Sequence, residues 1–219
     1  MTAFAVASIY SQSTIKQKAN IMESNCEKIN YRGKVIEIHP DTDAEAPNQW
    51  DDGDTGLFLV ANHRDFTVNP PGEKRCPSDP SELLERYKKT HWIFPLEAYI
   101  HSGVCLALSR EGNFPDRQWD VSQLGFVFCS KEEWRLSAKA RAAALSLIGT
   151  WNQYLSGDVW GYVAGDDSCW GFYGHDDCVT EAKSVVDAQI AHELKAKIAK
   201  VKAWIRNRVP IVYRKFETA

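Results

Sequence analysis

From Gly33 to His39 (GKVIEIH), β-branched residues alternate with polar ones, which predicts a half-buried strand. Leu57 to Asn62 is a short continuous apolar run and predicts a buried strand. Ile93–Ile100 and Val104–Leu108 flank His101-Ser102-Gly103 and predict a hairpin, and Gly125–Cys129 predicts a further buried strand. Val159–Ala164 and Ser168–Tyr173, joined by Gly165-Asp166-Asp167, predict a second hairpin. Three segments carry the longer helical period. Ser81 opens SELLERYKK, with acids early and bases late. Ser130-Lys-Glu-Glu133 has the spacing of a capping box, and an Ala-rich helix follows to about Leu155. From Thr180 to Asn207, Val186, Ile190, Leu194, Ile198, Val201 and Ile205 recur at three- and four-residue steps, marking the buried stripe of a long amphipathic helix. Pro210 ends it, and IVYRKF suits a terminal strand.

Strands joined by tight turns pair antiparallel. The expected fold is therefore α+β: a single, mostly antiparallel sheet of about six or seven strands, helices on one face, and a long C-terminal helix. The expected organisation is a tail or extension over residues 1–30, a core domain over 31–178, and the long helix with a basic segment over 179–219. Met22 is an ordinary start residue, so residues 1–21 are expected to be a loose tail or a product of start-site choice.

Composition narrows the class. The 219 residues are 44% hydrophobic and 25% charged, ordinary for a globular chain of this length. Eight Trp, eight Tyr and nine Phe exclude low-complexity disorder. No run approaches the ~18 apolar residues of a membrane span. The apolar N-terminus lacks a basic leader, so the expected location is cytoplasmic. Of six Cys, none forms a C-x-x-C pair, and Cys105 and Cys129 lie in apolar strand runs, which favours reduced, buried thiols.

Charge is uneven. Six acids (Asp41, Asp43, Glu45, Asp51, Asp52, Asp54) crowd the loop from Pro40 to Gly56. Between Lys195 and Phe216 there are eight bases and no acid, although the chain as a whole is −3. Lys197, Lys200 and Arg206 are thus candidates to meet nucleic acid or an acidic partner. The plainer reading is a solvated helix end with bases where the helix dipole favours them.

Two segments are candidates for a site. Trp119-Asp120-Val-Ser122-Gln123-Leu-Gly125 puts an indole, a carboxylate and an amide just before a core strand. Trp119, Asp120 and Gln123 either line a polar site or form a loop that docks the indole on the core. Gly125 there permits a bulge or close backbone approach. The second segment interleaves Gly157, Gly161, Gly171 and Gly174 with Trp160, Tyr162, Trp170 and Tyr173, which is either cross-strand packing or an aromatic platform. The two segments are expected to meet at one corner of the fold.

These motifs, W-D-x-S-Q-x-G-F-V-F, Y-L-x-G-D-V-x-G-Y and D-S-C-W-G-F-Y-G, resemble a family of phage and mobile-element proteins of unknown function. Trp50-Asp51, Asn62-His63-Arg64 and Tyr99-x-His101-Ser102-Gly103-Val104 look like that family too, so the likeness covers roughly residues 35–175. Pro115-Asp116-Arg117-Gln118 and Val121 depart from its small-polar pattern. The family has no assigned reaction, so the resemblance implies a genomic context and no catalytic residues.

Catalytic signatures are absent: no G-x-S-x-G elbow, no H-E-x-x-H, no phosphate-cradling glycine loop. His63-Arg-Asp65, His101, His175-Asp176-Asp177-Cys178 and Asp51-Asp52-Gly-Asp54 contain ligand-type residues without a complete ligand pattern, so neither a metal nor a cofactor is expected. The expected function is binding of a macromolecular partner, a host or viral protein, with inhibition of a host defence system as one version; Trp119, Asp120, Gln123, Trp170, Tyr173, His63 and Arg64 are its candidate contacts. The alternatives are a hydrolase of nucleotides or nucleic acid using Asp120 and Asp158 with His101 or His63, and a nucleic-acid binder using the basic helix. That helix also suits a homodimer arm.

Overall fold

The computed structural model describes residues 26–47, 56–64, 66–77, 79, 81–101, 103–112, 114–115 and 117–208. The expected tail over 1–21, the acids Asp51, Asp52 and Asp54, Trp50, Asp65 and the expected strand after Pro210 lie outside these residues. The fold is α+β, as the pattern predicts. It has two antiparallel sheets in place of one. The four-stranded sheet runs β1 (Glu27–Tyr31), β2 (Lys34–Pro40), β8 (Val159–Ala164), β9 (Asp167–Tyr173). The five-stranded sheet runs β4 (Phe66–Val68), β3 (Leu57–His63), β7 (Val121–Ser130), β5 (His91–Ile100), β6 (Val104–Leu108). Four helices are described: α1 (Glu82–Tyr87), α2 (Arg117–Asp120), α3 (Ser137–Ser156) and α4 (His175–Arg208).

The chain divides into two compact units: residues 1–39, 161–169 and 176–219 form one, and 40–160 with 170–175 the other. In the second unit the five-stranded sheet is covered on both faces, which corrects the expectation of helices on one face. Side chains alternate along a strand, so each strand feeds two cores. Leu59, Ala61, Leu96, Ala98, Val127 and Cys129 meet Ala140, Ala144, Ile148 and Trp151 of α3. Val60, Phe126 and Phe128 point the other way and meet Leu83 of the short α1. A helix of six residues suffices there because Phe58, Tyr87 and His91 add edge-to-face ring contacts around Phe128, with Phe58 stacked on it at 4.9 Å. Burial holds the His91 imidazole below its ordinary pKa, and the Lys131 charge adds to this.

The capping-box expectation at Ser130 fails. Ser130 Oγ accepts from the Glu132 amide, a local turn, and α3 begins only at Ser137 with no side-chain cap. At its other end Gly157, in the left-handed region at φ 75°, closes the helix by donating to Gln153 and Tyr154 carbonyls.

The first unit is simpler. Ile36 and Ile38 are fully buried, as are Cys178, Ala182 and Val186 of α4. The Tyr31 hydroxyl donates to Asp187, and Gln189 Nε2 donates to the Ala164 carbonyl and to Asp167. Lys34 and Glu193 form the most distal of these links along α4, at 2.7 Å.

Candidate functional site

The Trp119 segment is organised by a β-bulge. β5 and β7 pair Leu96 with Gly125 and then Glu97 with Gln123, so Leu124 is the extra residue. The skip turns Leu124 into the α3-side core and puts Gln123 opposite Glu97. Gly125 is required at this point, because a Cβ there would lie 1.8 Å from the Val60 carbonyl oxygen. Gln123 and Gly125 then line a concavity of about 350 Å³ with Asn62, Asp79, Ser81 and Phe126. Asn62 is held by donating to the Pro77 carbonyl, and Asp79 by accepting from the Ser81 amide.

Glu97 is the buried charged residue of this region, at 4% exposure. Its Oε2 accepts from Arg117 Nη2 at 2.7 Å and from the Arg110 amide at 3.0 Å, while Oε1 has no hydrogen-bond partner. Burial raises its pKa, but the Arg117 guanidinium and the Arg110 amide outweigh that and hold the carboxyl below the usual range. This pair escaped the sequence reading. Glu97 sits in an apolar strand and Arg117 in a polar loop, with nothing in the spacing to link them.

Of the candidates nearby, His101 and Asp120 are brought together. His101 Nδ1 lies 3.5 Å from Asp120 Oδ2, with Tyr99 stacked between His101 and Phe114. His101 is exposed and Asp120 half-buried, so solvent screens the pair and its attraction is weak. Trp119 is 81% exposed and lines neither described concavity. His63 accepts at its carbonyl from Thr67 Oγ1, and Arg64 is exposed.

Asp158 is engaged elsewhere. Its Oδ1 accepts from Trp160 Nε1 at 2.5 Å, its amide donates to Gln153, and its carbonyl accepts from Gly174. It ties the end of α3 to Trp160 and Gly174, and His175 stands edge-on against Trp160 at 4.9 Å. Trp170 and Tyr173 line a separate concavity of about 430 Å³ with Asp41, Asp43, Glu45 and Gly171. Its rim is internally tied: Gly171, at φ 83°, donates to Asp41 Oδ2, and the Tyr173 hydroxyl donates to the Glu45 carbonyl. Tyr154 meets Tyr173 edge-on. The indole-carboxylate turn and the ring hairpin thus line different surroundings, and His101, Asp120 and Asp158 are not assembled around one of these concavities.

The cysteines are free thiols among the described residues. Cys129 and Cys178 are buried, and burial pushes their thiols up to about 12 and about 11. Cys105 is exposed, against expectation, because it lies on the outward side of edge strand β6.

The largest departure from the sequence reading lies on α4. Its stripe was expected to be buried throughout. Val186 is fully buried, yet every residue from Ala191 to Arg208 is exposed. That is a helical stretch of about 27 Å. Leu194 is 57% exposed and Trp204 56%, and Ile198, Val201 and Ile205 are likewise open. From Leu194 to Arg208, beyond Glu193, the helix carries six bases (Lys195, Lys197, Lys200, Lys202, Arg206, Arg208) and no acid. On a helix, Leu194, Ile198, Val201 and Ile205 fall on one side, Lys195, Lys202 and Arg206 on one flank, and Lys200 on the other. Lys197 and Arg208 fall within the apolar arc, and Arg208 covers the Trp204 ring at 4.6 Å. The candidates Lys197, Lys200 and Arg206 therefore do not form one basic face. No described helix is long and apolar enough to cross a membrane.

Comparison with protein-family models, with curated proteins and with solved structures finds no match to this chain.

Proposed function

We propose that this protein is a non-enzymatic binding protein, an accessory protein of a phage or mobile element, whose contact element is the distal half of α4. The observation that carries this reading is the row of five large apolar side chains left open between Leu194 and Arg208, a stretch with six bases and no acid. An open apolar patch rimmed by charge marks an interaction surface. The partner it fits is a host or viral protein segment that offers apolar side chains flanked by carboxylates.

Three competing occupants fit less well. A nucleic-acid backbone offers phosphates but nothing apolar for Leu194, Ile198, Val201 and Ile205 to cover. A second copy would bring two sets of six bases together, a repulsion that no acid between Leu194 and Arg208 relieves. A lipid surface would take the aliphatic row, but Lys197 and Arg208 interrupt it, and carboxylates pair them better than hydrocarbon does.

The hydrolase alternative draws no support from the engagement of Asp158 elsewhere and the exposure of His101. The test is binding of a labelled amphipathic helical peptide of leucine and glutamate to the full chain. Charge reversal at Lys195, Lys202 and Arg206, or serine at Leu194 and Val201, should each weaken it at least about tenfold, or ~1.4 kcal/mol. Equal affinity in both variants overturns the reading. So does tighter binding of duplex DNA or of anionic phosphatidylserine vesicles than of the peptide.

A further inference from the structure

Cys26 directly precedes β1, and Glu37 and His39 alternate along β2. The hairpin register pairs Glu27 with Ile38 and Lys28 with Glu37, which carries Cys26 opposite His39. Ile36 and Ile38 take the buried side of β2. The pleat therefore sends Glu37 and His39 to the other side. There the Cys26 sulfur, a Glu37 carboxylate oxygen and a His39 ring nitrogen all lie within 4.8 Å of one another. Glu37 Oε2 is 3.8 Å from His39 Nε2. Tetrahedral zinc, with bonds of ~2.0 to 2.3 Å, holds its ligand atoms ~3.5 Å apart, so modest side-chain rotation closes the set.

From this geometry we infer that Cys26, Glu37 and His39 form a binding site for a first-row transition-metal ion of the zinc type. Sulfur and imidazole nitrogen together select such an ion over calcium or magnesium, which take oxygen ligands. The site is placed for the purpose. His39 is largely buried, with its side chain 12% exposed, and Cys26 is half-buried, so the ligands are partly shielded from water. Lys28 Nζ holds Glu37 Oε1 at 2.8 Å, which leaves Oε2 turned toward His39. A partner that fixes one carboxylate oxygen and presents the other orients a ligand from outside the first layer of contacts. The Lys28 charge also competes with a cation, so the expected affinity is below that of a four-ligand structural site.

A cysteine thiol at its ordinary pKa of ~8.5 is protonated at neutral pH. Binding replaces the S–H proton with the metal, and that proton leaves to buffer. No electron moves. Three protein ligands leave a fourth position, filled by water or by another donor. This inference is independent of the proposed role of α4.

The experiment titrates the full-length chain with cobalt(II) alone, following sulfur-to-cobalt charge-transfer absorption, and with zinc(II) by calorimetry in two buffers of different protonation enthalpy. One cobalt per chain with a thiolate band is expected, together with release of about one proton on zinc binding. Cys26→Ser should abolish the band. Glu37→Gln, a near-isosteric change at a half-exposed carboxylate, should weaken binding about tenfold. Cys105→Ser should change nothing. No thiolate band, a band that survives Cys26→Ser, or equal loss in Cys105→Ser would overturn the site.

Discussion

At the scale of single residues, Glu97 and Arg117 show how a buried charge is tolerated. The carboxylate is inside a strand with one oxygen satisfied twice and the other not at all. Removing Arg117 leaves that charge buried with backbone donors only. Arg117→Ala should destabilise the fold by about 2 kcal/mol, below the full cost of breaking a buried pair because the guanidinium is part-exposed. Urea unfolding at neutral pH measures it. The pH dependence has a definite sign. The Glu97 pKa is lowered by folding, so its stabilisation is present above the ordinary carboxylate range and lost as pH falls through it. Glu97→Gln should flatten that acid limb of the stability curve.

At the scale of elements, the bulge in β7 does what local propensity does not announce. Gly125 lets β7 approach β3, and the extra residue Leu124 flips the facing of everything before it. Gln123 reaches its concavity only for this reason. Gly125→Ala sets a Cβ against the rigid Val60 carbonyl, so the cost is expected to be about 3 kcal/mol. The same variant should shift the Gln123 amide resonances, since the bulge must move. An unchanged denaturation midpoint would refute the close approach. The sequence pattern marked Gly125 as a site of bulge or approach, and both occur together. It misplaced the start of α3, since Ser130 makes a turn with Glu132 where a reciprocal cap was expected.

At the scale of the whole molecule, α4 joins a buried half to an exposed one. Cys178, Ala182 and Val186 belong to a core, and from Ala191 on the same three- and four-residue rhythm continues into solvent. Nothing past the Lys34–Glu193 link is buried among the described residues. A chain ending at Glu193 should therefore keep its melting temperature within about 2 °C, in line with the small effects of surface changes. It should lose peptide binding and become more soluble. A large fall in melting temperature would show that the distal helix supports the fold.

Most strands and the long helices were legible because burial imposes a period, and a period survives in one sequence. Val104–Leu108 and Val159–Ala164 fall where the pattern puts them. β1 was passed over: EKINY is exposed or half-exposed along its length and carries little apolar signal. The short β4 gives three residues, too few for any period. Two sheets were read as one because alternation says which residues face inward and not which strands are neighbours. Partner choice is settled by contacts between residues far apart in the chain, which also place Cys26 beside His39 and Glu97 beside Arg117. By itself, the sequence determined the class, the element types and the apolar stripe of α4. Tertiary structure alone decided which part of that stripe is covered, because burial depends on what lies opposite and the helix outruns the sheet that covers its first half.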